Sequence, residues 1–247
     1  YIDKYYTPFI PAAKRMNAKI KRDIDPVNND GITLIPQAMS IVADEVIDLH
    51  RQLVPYGYDE INVNLGCPSG TVVSKKRGSG ILAYPDMLDR FLDELYTKAD
   101  FPVSIKTRVG FNDDELWPKL IEIYSKYPIS ELTVHPRVQK DFYKNTPRMD
   151  DFALAMQKIN PDKTILCYNG DITDTNSFNA LTDRFPDINE IMIGRGLFAN
   201  PALIAELKGI SMDKAELRER LKNWHDEILS GYLSIFSGVS ATPSIIP

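Results

Sequence analysis

The chain has 247 residues, of which 43% are hydrophobic and 26% charged, and its formal net charge is −5. These values describe an ordinary globular chain with one large core, and they exclude binding of nucleic acid through bulk positive charge, so any such contact needs local cationic patches. No run of about eighteen apolar residues and no secretory leader pattern occurs, and there are two cysteines, Cys67 and Cys167; the expectation is a cytoplasmic chain with no membrane partner and no disulfide scaffold.

In chain order, short β-branched apolar runs alternate with stretches of helical period. That alternation predicts βαβ units on a parallel sheet. Strands are expected at Tyr5–Ile10, Thr33–Gln37, Glu60–Asn64, Val103–Arg108, Glu131–His135, Thr164–Tyr168 and Glu190–Ile193. Helices are expected at Ile41–Leu53, Tyr84–Ala99, Asp113–Lys126, Met149–Lys158, Asp174–Phe185 and Pro201–Leu207. Asp174 stands where an N-cap would and Pro201 where a first-turn proline would. A further amphipathic helix at Met212–Tyr232 has no strand after it, and Ser237–Pro247 reads as a loop or tail.

Several of these strands end on a polar residue: Gln37, Asn64, Lys106 with Arg108, His135 and, just past its strand, Asn169. An apolar strand that turns polar at its C-terminal end, repeated around a parallel sheet, builds the active-site mouth of a TIM-type (β/α)8 barrel. Such a barrel has eight strands, and only seven are expected in this α/β chain. A doubly wound sheet would open on a Gly-rich turn, and none is present.

The densest motif is Asn64-Leu65-Gly66-Cys67-Pro68, followed by the Gly-rich basic loop Val72-Val73-Ser74-Lys75-Lys76-Arg77-Gly78-Ser79-Gly80. A cysteine on a loop just past a strand is placed to act as an acid or a nucleophile. Cys167, inside a strand, reads as a small buried hydrophobe. Lys106 and Arg108, two apart on one strand, share a face, which would be costly inside a barrel unless something anionic sits there. His135 joins that layer. Asn169-Gly170-Asp171 and Gly194-Arg195-Gly196 follow the last two strands, where loops of such barrels hold phosphate through backbone N–H groups. No zinc spacing, P-loop or GxGxxG occurs, so no metal site is expected.

The segments PQAMS, INVNLGCPSGTVVSKKRGSGILAYP, PVSIKTRVGF, ELTVHPRVQKDFYKN, ILCYNGDI and IMIGRGLFANPAL, in this order, resemble the tRNA-dihydrouridine synthase family. The resemblance runs from about Tyr5 to about Ile204, and Asn-x-Gly-Cys-Pro is its most specific part. It implies FMN-dependent reduction of the C5=C6 bond of uridine in a tRNA partner, with NADPH as electron source. Hydride would pass from reduced FMN to C6, and Cys67 would protonate C5 from the opposite face. Lys106 and His135 match residues beside the flavin ring and the uracil. Gln37 and Asn64 match contacts to the isoalloxazine or the base. Asn169, Gly170, Asp171, Gly194 and Arg195 match the ribityl and phosphate region. RNA contacts are expected from Lys75, Lys76 and Arg77, from Arg137, Lys140, Lys144 and Arg148, and from stacking on Tyr143.

The family opens with a strand under the flavin and carries a C-terminal helical domain. The resemblance therefore predicts a barrel short of its first strand over residues 1–207 and the start of the helical region over residues 208–247. A monomer is expected. Two other readings stay open: a flavin barrel that reduces a small unsaturated molecule such as a pyrimidine or an enone, and a catalytically silent RNA-binding fragment.

Overall fold

The computed structural model describes residues 2–12, 15–211 and 213–236. The expected strand Tyr5–Ile10 divides into β1 (Tyr5–Tyr6) and β2 (Ile10–Pro11), with the helix α1 (Ala18–Ile24) after them. The expected strand Thr33–Gln37 likewise divides into β3 (Leu34–Ile35) and β4 (Gln37–Met39). The break falls at Pro36, which has no N–H to give a ladder. Across it the Gln37 N–H donates to Thr7 Oγ1 at 3.0 Å, a side chain standing in for a strand.

The remaining elements follow the expected order. They are α2 (Ala43–Leu53), β5 (Ile61–Leu65), the single turn α3 (Gly70–Val73), α4 (Pro85–Lys98), β6 (Val103–Gly110), α5 (Trp117–Tyr124) and β7 (Glu131–Val138). After them come α6 (Met149–Lys158), β8 (Ile165–Tyr168), α7 (Thr175–Arg184), β9 (Glu190–Ile191), α8 (Arg195–Ala199), α9 (Leu203–Leu207) and α10 (Lys214–Phe236). Asp174 caps α7 as expected, accepting from the Ser177 N–H at 2.7 Å. Pro201 does not open α9, which begins two residues later. Helix α1 was not foreseen because it is mostly charged and buries only Ile24. The expected tail Ser237–Pro247, and Met212 at the start of the last expected helix, lie outside the described residues.

All strand pairs are parallel, and the main sheet runs β2-β4-β5-β6-β7-β8-β9, with β1 on β3 beside it. Parallel register sorts the side chains into two faces. Ile61, Val63, Leu65, Ile105, Val109, Leu132 and Val134 lie on one face and are fully buried under Val46, Leu49, Leu53, Leu88, Leu92, Leu120 and Ile121 of α2, α4 and α5. Each such side chain contributes about 1.5–3 kcal/mol on burial, so the core lies between sheet and helices.

The other face is polar. Gln37, Asn62 and Ser104 stand side by side, then Asn64, Lys106, Thr133 and Cys167, then Arg108 and His135. The sheet curls this face inward. Glu131 of β7 is 2% exposed, yet Lys4, just before β1, and Tyr6 of β1 both reach it, Lys4 as an ion pair and the Tyr6 hydroxyl at 2.8 Å. Thr133 Oγ1 also donates to it at 2.8 Å. The fold is therefore a parallel α/β barrel of the TIM type, with a polar lumen closed at its floor around Glu131. No helix among the described residues is long and apolar enough to cross a membrane.

Candidate active site

Cys67 follows β5 directly, and its position is fixed from two sides. On one side Asn64 Oδ1 accepts from the Gly66 and Cys67 N–H groups at 3.1 and 2.9 Å. Asn64 Nδ2 donates to Gln37 Oε1 at 2.6 Å, Gln37 Nε2 to Asn62 Oδ1 at 2.8 Å, and Asn62 Nδ2 to Ser104 Oγ at 3.0 Å. This run of amides sets which end of Asn64 faces the loop. On the other side Cys67 O accepts from Ser79 N at 3.1 Å and from Ser79 Oγ at 2.8 Å. Gly78 makes that approach possible: its φ is +54°, and a Cβ there would lie 2.8 Å from Cys67 O and 2.9 Å from Val72 Cγ1. The Cys67 side of the loop is half-buried, whereas Cys167 is fully buried and its burial pushes the thiol up.

Three cationic side chains lie near this loop, two of them, Lys106 and Arg108, lining the lumen. Lys106 is half-buried and has no hydrogen bond or ion pair among the described residues. Burial, and then Arg108, push its ammonium down to about 8. Arg108, 2% exposed, is a clamp: it donates to Gly66 O at 2.9 Å, Val138 O at 3.0 Å and Phe142 O at 2.8 Å. It therefore ties the Cys67 loop to the end of β7 and to the loop beyond. Sequence reading noted its strand-end position without giving it a role; the signal was its spacing of two from Lys106. The third, Arg137, is 1% exposed and bonded to Asp171, to His135 and to Asn145 O.

That placement corrects the expectation for Arg137. It cannot reach RNA, because its guanidinium lies inside the protein and is held in an ion pair. Two other expected RNA contacts are also engaged. Arg77 pairs with Glu45 at 3.0 Å, and Arg148 pairs with Asp141 and Asp114. Lys76 lies 4.4 Å from the ring centre of Tyr84 and stays exposed, as do Lys75, Lys140 and Lys144. Gln139 Nε2 donates to Pro68 O at 2.9 Å, so the two cation-bearing loops are joined beside Cys67.

His135 is 5% exposed, and its Nε2 lies 3.0 Å from Arg137 Nη1. Burial, then Lys106, Arg108, Arg137 and Arg195, push the imidazole down to about 2, so it is neutral. Tyr143 covers it, with ring centres 6.3 Å apart, and carries Arg195 at 4.7 Å and Arg108 at 5.6 Å. Asp171 accepts from both Arg137 and Arg195. Asn169 Nδ2 donates to Met192 O at 2.9 Å, Gly170 has no room for a Cβ beside the Tyr168 hydroxyl, and Gly194 precedes α8.

Gln37, Asn64, Cys67, Lys106 and His135 line one cleft of about 1650 Å³. Tyr143 and the loops holding Asn169, Gly170, Asp171, Gly194 and Arg195 line the same cleft. Arg137 lies behind it and the Lys75–Arg77 stretch beside it. A half-buried ammonium with no carboxylate partner among the described residues, on a polar strand face, suits a planar electron-rich ligand that carries an anionic group.

Comparison with known proteins agrees with the motif order. The family described as dihydrouridine synthase (Dus) matches residues 3–230. A probable tRNA-dihydrouridine synthase of Staphylococcus aureus is 33% identical over 154 residues, which is 61% of this chain and 46% of that protein. The tRNA-dihydrouridine synthase B of Pasteurella multocida is 28% identical over 168 residues, 68% of this chain and 49% of its own. The chain thus spans about half the length of the curated relatives it matches. A solved N-acetylneuraminate lyase of Mycoplasma synoviae overlays 85% of this chain and 62% of its own, with a TM-score of 0.44 and 16% identity.

Proposed function

The chain belongs to the dihydrouridine synthase family, and we propose that its barrel binds FMN in the strand-end cleft and reduces the C5=C6 bond of a uridine in tRNA. The observation that carries this reading is the pairing of a Lys106 ammonium, without a partner among the described residues, with a pinned Cys67 on the neighbouring strand end. Gln37, Asn64, Lys106 and His135 would hold the ring. Asn169, Gly170, Asp171, Gly194 and Arg195 would hold the ribityl chain and phosphate. When bound and reduced by NADPH, FMN would supply hydride chemistry at the C6 side of the base.

Cys67 completes the addition. Its S–H bond breaks as a C–H bond forms at C5, and the thiolate takes a proton back from solvent. The amide run from Ser104 to Asn64 fixes the Cys67 loop at the cleft wall, where it would face a bound ring. A base must leave its stack to enter such a cleft. Tyr143 at the mouth offers a face for it, and Lys75, Lys76, Lys140 and Lys144 offer exposed charge to the flanking phosphates.

The test is direct. FMN added to the purified chain should perturb the flavin absorbance, and NADPH with unmodified tRNA should then yield dihydrouridine by mass spectrometry. Turnover of free uracil or an enone in place of tRNA would favour a small-molecule reductase, and no flavin binding at all would overturn the reading.

Two further outcomes follow from individual side chains. Lys106 titrates near 8 without ligand, and an anionic partner favours its charged form. FMN affinity should hold steady below about pH 7 and weaken as pH rises through about 8, approaching tenfold per unit. Lys106→Met should bind FMN more weakly and flatten that profile; a parent profile already flat from about pH 7 to 9.5 would remove Lys106 from the contact. Secondly, Lys75→Ala with Lys76→Ala should weaken tRNA binding and lower the slope of log K against log salt by about 1.5–2. An unchanged slope would place that loop outside the interface.

A further inference from the structure

Arg137 does not itself line the cleft but stands directly behind it, bonded to two residues that do, His135 and Asp171. Its Nη1 lies 3.0 Å from His135 Nε2, and its other bonds go to Asn145 O and to both oxygens of Asp171. A guanidinium has only N–H donors and no acceptor. The nitrogen it faces must therefore present a lone pair, and the single proton of a neutral imidazole must lie on the other nitrogen.

From this geometry we infer that Arg137, tethered by Asp171, is a positioning residue that fixes His135 as the Nδ1–H tautomer, so that His135 serves its ligand as a fixed hydrogen-bond donor and not as a proton source.

The surroundings agree from every side. Lys106 and Arg108 on β6, Arg137 on His135's own strand and Arg195 on α8 all disfavour an imidazolium. Asp171 accepts from Arg137 and Arg195, and no carboxylate among the described residues accepts from the imidazole. Tyr143 covers the ring face. The burial of Arg137, which removes it from the RNA surface, is what this role requires. If the cleft holds FMN and uracil as proposed above, proton delivery is left to Cys67, while His135 donates to a carbonyl or ring nitrogen without changing charge over the working range.

The protein contains its own reference. Of its three histidines, His50 has Nε2 at 3.0 Å from Asp59 O, and a carbonyl only accepts, so His50 must carry a proton on Nε2. Long-range ¹H–¹⁵N correlation spectra of the histidine-labelled, ligand-free chain should show the two in opposite tautomers. His135 should have a pyridine-type Nε2 and a pyrrole-type Nδ1, unchanged from about pH 5 to about pH 8.

In Arg137→Gln the Nε2–H form or an ordinary titration should appear at His135, while His50 keeps its pattern and reports an intact fold. Asp171→Asn, which conserves side-chain volume, should release part of the same constraint. A parent His135 carrying a proton on Nε2 at about pH 7 would overturn the inference, as would a tautomer unchanged in both variants. Adding FMN separates the two claims: a chain that binds none yet shows the Nδ1–H form sinks the flavin reading and leaves the role of Arg137 standing.

Discussion

Replacing Cys67 with alanine should leave FMN binding intact and reduce the rate of uridine reduction by about 10²–10⁴-fold, the range that positioned general acids contribute. The separation of the two effects comes from the backbone. Asn64 and Ser79 hold Cys67 through its N–H and its carbonyl, and neither bond uses the thiol. Alanine keeps both, so the loop and the cleft wall are retained while the proton is lost. Buried Cys167, on the same sheet face, serves as the control: burial pushes its thiol up and makes it a weaker proton donor. Single-turnover oxidation of the reduced flavin by tRNA is the measurement to make. A Cys67→Ala protein that reduces tRNA at the parent rate would show that the proton comes from elsewhere.

The second large effect lies one residue before the serine that binds Cys67. Gly78→Ala places a Cβ 2.8 Å from Cys67 O and 3.0 Å from Cys67 Cβ, at a φ of +54°. The backbone penalty for a left-handed alanine is about 1–2 kcal/mol. The steric demand is of another kind, because one of the crowded atoms is a backbone carbonyl that Ser79 also holds. Cys67 must move, and a misplacement of about 1 Å can cost about 10²-fold in rate. We expect reduction to fall by about that factor, with a melting temperature lower by a few degrees. Adding Val72→Ala removes the Val72 Cγ1 contact at 2.9 Å but not the carbonyl, so it should recover stability more than rate. A Gly78→Ala chain with parent rate and parent melting temperature would mean that the loop is softer than its contacts imply.

Much of this was legible in the sequence, for physical reasons that can be named. The period-two runs at Glu60–Asn64 and Val103–Arg108 are half apolar and half polar because one face meets helices and the other the lumen. Their polar ends could be read as a mouth before any coordinate was known. The split of the first two strands could not, since it depends on Thr7 replacing a ladder partner across Pro36. Short elements such as α1 carry too little apolar surface to leave a pattern.

For the site, residue type and strand-end position were enough to bring Cys67, Lys106, His135 and Asn64 together. Charge was the misleading signal. Arg77, Arg137 and Arg148 look alike in sequence to Lys75 or Lys140, yet each meets a carboxylate brought near by the fold: Glu45, Asp171 and Asp141. Two of those partners lie more than thirty residues away along the chain, so neither local pattern nor spacing could distinguish an arginine that builds the wall from a lysine that faces outward.

The floor around Glu131 also bears on the order of events during folding. Its contacts with Lys4 and Tyr6 span 127 and 125 residues. By contrast, β5, β6 and β7 pair with their immediate successors, and their helices pack locally. Contacts of long sequence separation carry a large loop-closure cost and are made late. The central strands can therefore assemble as an open, curling sheet, and the Glu131 carboxylate is neutralised only when the first strand arrives. Until then the lumen is wet and the edge at β4 is available to other chains. The last step of folding therefore covers the β4 edge and leaves in its place only the two-residue strand β2.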